Sequence, residues 1–336
     1  MAHAFSCGLN MRILVTGGAG YIGSVVTEQL IEQGHDICVL DTLKYGFRDA
    51  VHPSARFVRG DLLDRASLVG LLRDHRTEAV AHLAAEAFID DSVRDPALFY
   101  RVNTCGGLGL LEAMAEAGVS RLVFSSTASV YGHPETAPIP EDAPLVPCSP
   151  YGDSKLAFER MLPWFHGAHG IRHVSLRYFN ACGASTGCGE SRKRETHLIP
   201  IALGAALGQR DGLELFGTDY DTEDGTCVRD YIHVTDIARA HVLALEAMDR
   251  IGARAYNLGT GRGHSNREVI QTVKDVTGLD FAVRVGARRP GDPATLVADA
   301  SRIGRELGWT PRVSRLREMV ETAWAWRVAH PRGYAA

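Results

Sequence analysis

The chain has 336 residues, 45% hydrophobic and 23% charged, with a formal net charge of −4. That length and balance suit one large or two intimate soluble domains with ample core, and a near-neutral charge without a basic stripe argues against a nucleic-acid binder. No run of about 18 apolar residues is present and no charged-then-apolar pattern opens the chain, so neither a membrane span nor secretion by that route is expected. The seven cysteines lack CxxC spacing. Reduced thiols in a cytosol are therefore expected; Cys182 and Cys188 beside a Gly-rich loop are only a faint hint of metal, and none is assigned.

Residues before Met11 show no periodicity and read as a frayed extension or an upstream start. Arg12 to Thr16 is an apolar run suited to a buried parallel strand. Glycines 17, 18, 20 and 23 follow, and then a helical pattern carrying Val25, Val26, Leu30 and Ile31. Gly18, Gly20 and Gly23 fit GxGxxG, and Gly17, Gly20 and Gly23 the related GxxGxxG. Bare backbone there permits a tight turn and close pyrophosphate approach at a helix N-terminus. Asp41 closes the next strand, Ile37 to Leu40, where a carboxylate binds the adenosine ribose and repels a 2′-phosphate, favouring NAD over NADP. Helix capping is its plainer alternative.

A third strand, Arg56 to Arg59, ends at Asp61, in reach of an adenine amine, and a fourth, Ala79 to Leu83, ends in the small residues Ala84 and Ala85. A long helix from about Pro96 to Ala117 leads to the strand Arg121 to Ser125 and the hydroxyl-rich end Ser126-Thr127-Ala128-Ser129. Pro134 to Pro150 reads as loop, and a sixth strand is expected at His173 to Leu176. The alternation predicts an α/β fold: a doubly wound parallel (Rossmann) sheet with a smaller C-terminal α/β substrate domain. Residues 11–180 would form the first domain, with 235–262 returning to it, and 181–234 with 263–330 the second. Helices are expected at about 197–207, 235–247, 266–277 and 314–329. Arg192-Lys193-Arg194 reads as a solvated turn.

Tyr151 and Lys155 stand four apart at the start of a helix, on one face. An ammonium there is expected to lower the phenol's pKa; moving it from ~10 to ~7 means favouring the phenolate by roughly 4 kcal/mol. A hydroxyl at the strand end near Thr127 can bond both a substrate hydroxyl and the Tyr151 oxygen.

With these residues in this order, the chain resembles the extended short-chain dehydrogenase/reductases. Residues 16–23, 124–132, 176–180, 222–234 and 256–259 are similar to their UDP-glucose 4-epimerase branch, the likeness running from Met11 to about Tyr334. The resemblance implies catalysis by Thr127, Tyr151 and Lys155. It implies NAD contacts from Gly17, Gly20, Tyr21, Ile22, Gly23, Asp41, Asp61, Leu83, Ala84, Asn103, Lys155 and Phe179. A sugar nucleotide would be held by Thr127, Tyr151, Asn180, His197, Leu198, Phe216, Arg229, Arg289 and Asp292, with Leu296 as the wall beside the sugar C2 substituent. Guanidinium forks at Arg229 and Arg289 suit a diphosphate. Phe216 can stack on uracil or serve as core. Glu86 and His197 depart from the branch's usual residues, and a histidine brings pH dependence.

The implied reaction interconverts UDP-glucose and UDP-galactose by transient C4 oxidation, with tightly bound NAD, in galactose metabolism and UDP-sugar supply. A cytoplasmic homodimer with no membrane or nucleic-acid partner is implied. UDP-N-acetylglucosamine and UDP-pentose 4-epimerases stay open, as do another NAD-dependent sugar-nucleotide enzyme and a non-catalytic NAD scaffold. Related dehydratases carry Asp-Glu after the strand-end threonine; Ala128-Ser129 here offers no acid for elimination.

Overall fold

The computed structural model describes residues 10–289 and 291–334. The expected N-terminal extension, residues 1–9, lies outside them. The strands in chain order are β1 Arg12–Thr16, β2 Asp36–Asp41, β3 Arg56–Arg59, β4 Ala79–His82, β5 Arg121–Thr127, β6 Arg172–Tyr178, β7 Asn180–Cys182, β8 Leu213–Phe216, β9 Val228–His233, β10 Arg254–Leu258, β11 Gly263–Ser265, β12 Val283–Gly286 and β13 Thr295–Leu296. The helices are α1 Tyr21–Glu32, α2 Arg65–Asp74, α3 Ile89–Arg94, α4 Pro96–Phe99, α5 Gly106–Ala117, α6 Pro150–His169, α7 Leu198–Ala206, α8 Val234–Ile251, α9 Asn266–Thr277, α10 Ser301–Leu307 and α11 Leu316–Ala329.

Seven strands pair in the order β10-β6-β5-β4-β1-β2-β3, all parallel. Ile13, Leu14 and Val15 are fully buried, as a strand covered on both faces requires. One face packs under α1 and α8, through Val25, Val26, Leu30, Ile237 and Leu245; the other under α2, α5 and α6, through Leu68, Leu72, Leu110, Met114 and Phe158. Each such side chain contributes roughly 1.5–3 kcal/mol by leaving water. The chain leaves this sheet after β6 and re-enters it at β10, which pairs with β6 from Arg254↔Val174 to Leu258↔Tyr178. A separate core gathers Ile199, Leu203, Leu213, Val269, Val273, Leu316 and Met319 beneath α7, α9 and α11.

The expected helix from Pro96 to Ala117 is unbroken but not α-helical throughout. It begins as α4, widens into a π-helical turn over Tyr100–Cys105, and resumes as α5. Strand β5 runs two residues further than expected, to Thr127, and so carries that hydroxyl on rigid backbone. Helix α6 starts sharply: Ser149 accepts from the Gly152 N–H at 3.2 Å, with Pro150 in the first turn.

Candidate active site

The glycine turn sits where β1 hands over to α1. Gly17 has φ +75, and a Cβ there would lie 2.6 Å from Ala84 N, so the turn meets the end of β4 backbone to backbone beside Leu83. A Cβ on Gly23 would lie 2.2 Å from Gly17 O, so only glycine lets α1 approach. No side chain caps α1, which leaves first-turn N–H donors near Tyr21 and Ile22 for a phosphate. Asp41 ends β2 and accepts from Ala19 N at 3.1 Å and Leu43 N at 2.8 Å, bracing the turn from beneath. Burial raises its pKa, and those two N–H bonds oppose the shift. This cradle fits a dinucleotide pyrophosphate with an acid at the ribose position. Asp61 is exposed and caps its own turn by accepting from Leu63 N at 3.0 Å. Tyr21 turns inward, its hydroxyl donating to Gly183 O at 2.6 Å.

The π-helical turn explains Asn103. Its Oδ1 accepts from Glu86 N at 2.8 Å, while Nδ2 donates to Glu86 O and to Ser154 Oγ, both at 3.0 Å. Asn103 therefore ties the segment after β4 to α6, one residue from Lys155. Glu86 is buried and pairs with Lys44, so the departure noted in the sequence arrives with its own counter-ion.

Thr127, Tyr151 and Lys155 converge at the carboxyl end of β5. Thr127 Oγ1 accepts from Ser129 N at 3.1 Å, starting a short 3-10 turn over Ala128–Tyr131. Lys155 is buried, with Nζ 4.5 Å from the Phe124 ring centroid. Burial lowers the Lys155 pKa to about 7, against a pull upward from Glu159. The Tyr151 phenol corrects the sequence expectation. Burial raises its pKa, opposed by a hydrogen bond from Thr127 and by the Arg192 guanidinium; Lys155 is not among the groups acting on it. Desolvation outweighs both.

On the other side of the cleft, Asn180 opens β7, which pairs with β9 at Tyr231. His197 caps the start of α7 just before Leu198 and lies 2.7 Å by Nδ1 from Glu190 Oε1. Glu190 also accepts from Arg192 Nε at 2.8 Å. Arg192 is thus half-buried and paired with Glu190, whereas Lys193 and Arg194 of the same triplet are exposed, as expected of a solvated turn. Nothing in the sequence flagged Glu190 or Arg192 as near the site. Glu190, Glu195 and His197 bring ligand atoms within 4.8 Å of one another, yet the Arg192 cation already occupies Glu190. Cys182 and Cys188 are buried apart, against the Ile232 and Ala50 carbonyls.

Arg289 lies 4.1 Å over the Phe216 ring, so one face of Phe216 carries a cation. Arg229 stands 3.8 Å from Asp292 and is anchored by the Val228 carbonyl. Leu296 pairs with Arg229 across β13 and β9 and packs on the cluster of Ala128, Tyr131 and Phe179, next to Thr127.

A doubly wound sheet, a glycine cradle and a Tyr/Lys pair near the β5 end define a dinucleotide-dependent class, and the comparisons narrow it. The chain belongs to the NAD dependent epimerase/dehydratase family, whose profile matches residues 13–259. It is 49% identical to a UDP-glucose 4-epimerase of Azospirillum brasilense over 94% of this chain and 91% of that one. A UDP-glucose 4-epimerase of Lactobacillus helveticus is 45% identical over 96% and 99%. The UDP-glucose 4-epimerase of Brucella ovis, solved in complex with NAD, superposes with TM-score 0.91 at 45% identity, covering 94% and 98%.

Proposed function

We propose that this chain interconverts UDP-glucose and UDP-galactose with NAD as its bound cofactor. The observation that carries the reading is Thr127 at the end of β5, close enough to Tyr151 to lower its pKa, with Lys155 buried one turn further along α6 and no acid beside Thr127. NAD supplies a hydride acceptor for C4, and gives the hydride back to the other face. The protein's own residues handle the proton and the sugar. Tyr151 takes the proton of the sugar 4-hydroxyl and returns it, with Thr127 steadying both oxygens. Lys155 holds a positive charge beneath them and binds the nicotinamide ribose. Asp41 receives the adenosine ribose, and Arg229 and Arg289 the diphosphate. Asn180, His197, Leu198, Phe216 and Asp292 hold the rest of the nucleotide sugar. The remaining assignments follow the same pattern, Asn103 acting by holding Ser154 and Glu86 in place.

We divide the chain into a cofactor domain of residues 11–180 with 235–262, and a sugar-nucleotide domain of 181–234 with 263–330. A cytosolic homodimer is proposed. It is supported by the exposed apolar side chains Leu63, Tyr100, Leu108 and Trp164 on the α2–α5–α6 side of the sheet. Incubating the protein with a panel of UDP-sugars, without added NAD, tests the activity. Conversion of the glucose/galactose pair supports it; net oxidation or dehydration instead would refute it.

A further inference from the structure

We propose that the basic triplet Arg192-Lys193-Arg194 is a strap over the cofactor cleft: carried on the loop between β7 and α7, it grips the segments that follow β2 and β4 and so sets how fast NAD leaves. The inference rests on the cofactor assignment above and extends it to residues outside the cradle.

Strand order places the strap. β1 lies between β4 and β2 in the sheet, so the segments leaving β4 and β2 flank the glycine turn at the end of β1. Those two segments already meet. Lys44 pairs with Glu86, and the Tyr45 and Phe88 rings touch edge to face at 5.2 Å. The segment after β2 also rests on the turn itself. Phe47 N donates to Ala19 O at 3.0 Å, and a Cβ on Gly46 would lie 2.9 Å from Ala19 C. The two segments thus bracket the glycine cradle.

The triplet holds both of them. On the β2 side, Lys193 Nζ donates to Lys44 O at 2.9 Å and to Leu43 O at 3.3 Å. On the β4 side, Arg194 forks onto Asp91, Nη1 to Oδ1 and Nη2 to Oδ2, each at 3.0 Å. Its guanidinium lies 4.7 Å from the Phe88 ring centroid. Arg192 and Glu195 fix the strap to its own side of the cleft. Arg192 Nε donates to Glu190 at 2.8 Å, and Glu195 accepts from Thr196 N at 2.8 Å and His197 N at 2.9 Å, at the start of α7. Lys193 and Arg194 are exposed, and exposed pairs add little to folding stability. Their use lies in where they reach: residues 149 and 103 positions away in the chain, on both walls of one cradle. NAD leaves when the strap lets go.

The test follows release itself. Protein carrying labelled NAD is diluted into unlabelled NAD, and the label left on the protein is read over time. Wild type is compared with Lys193→Met, Asp91→Asn, Arg194→Gln and the pair Asp91→Asn/Arg194→Gln. Lys193→Met removes a positive charge and Asp91→Asn a negative one, so a field acting on the negative pyrophosphate would move release in opposite directions. Loss of the strap makes both faster, by about two- to fivefold. The pair is expected to release no faster than Arg194→Gln, because both remove the same contact. Turnover at saturating NAD is expected within about twofold of wild type; a larger loss puts these residues in the chemistry and overturns a role in retention. Either Lys193→Met or Asp91→Asn releasing NAD less than about twofold faster than wild type overturns the strap, as does a pair whose effect is the product of its singles. Wild-type protein that holds no label defeats the cofactor assignment itself, independently of the strap.

Discussion

At Tyr151 two demands oppose each other. The phenol must be buried to meet a sugar hydroxyl away from water, and that burial raises its pKa; Thr127 and Arg192 pull it back. Tyr151→Phe removes only the oxygen and is expected to keep the fold and bound NAD while lowering kcat by about 10²–10⁴-fold. Steady-state rates within threefold of wild type would remove Tyr151 from the chemistry. Asp41 sits with its carboxylate already against Ala19 N and Leu43 N, so a 2′-phosphate would meet a fixed negative charge. Stripped protein reconstituted with NAD is therefore expected to outperform protein reconstituted with NADP; equal activity would show that Lys44 or Arg48 overrides the acid, although Lys44 is already paired with Glu86. Leu296 packs beside Ala128 and Phe179, close to where the sugar must lie. A methylene-sized change in an apolar pocket is worth only ~1–3 kcal/mol, so slower but measurable work on the N-acetylated pair is expected. Leu296→Tyr should suppress that activity and spare the hexose pair. An unchanged ratio would mean Leu296 is not the limiting wall.

Elements that the chain builds from local pattern were legible before the structure. The parallel strands, the glycine turn and α9 follow from apolar runs, bare backbone and 3.6-residue periodicity. The sequence pointed to a return of residues 235–262 but not to the strand that β10 joins, β6, because a pairing partner is set by tertiary packing. The π-helical turn at Tyr100–Cys105 was not legible, because its widening depends on Asn103 bonding residues 17 and 51 positions away. Lys193 and Arg194 stay exposed, as the basic triplet suggests, but Arg192 turns back onto Glu190 two residues before it, a local pairing that composition does not show. The proton affinity of Tyr151 was also missed, since spacing to Lys155 is visible in sequence and desolvation is not. The π-turn predicts its own test. Asn103→Ala leaves Glu86 N–H and Ser154 without their partner, at a cost of about 1–3 kcal/mol. Thermal unfolding should show the loss; an unchanged midpoint would mean that water or a shifted turn replaces the amide.

Across the whole molecule, several histidines are kept neutral by burial. His241 lies under Tyr178, with Nδ1 3.0 Å from the Ile237 carbonyl and Nε2 3.0 Å from the Tyr178 hydroxyl, so Nδ1 carries the proton and Nε2 accepts. Burial lowers His241 and His173 to about 4 and His82 to about 3, from 6.5. The unfolded chain therefore binds protons that the folded chain refuses. Stability is full above about pH 6.5 and falls as pH drops from there towards 4, by a few kcal/mol if the rings act together. Unfolding midpoints should decline between pH 7 and 5; a flat profile would contradict these assignments. The account as a whole turns on NAD staying bound and being regenerated in each cycle. The measurement that reaches this most directly is to mix purified protein with UDP-galactose, with no cofactor added, and follow the product mixture together with the near-ultraviolet absorbance of reduced nicotinamide. The account predicts conversion to a UDP-glucose/UDP-galactose equilibrium over many turnovers per protein, with no net build-up of free reduced cofactor. Conversion that stops after one turnover, or reduced cofactor that accumulates in step with product, would contradict it.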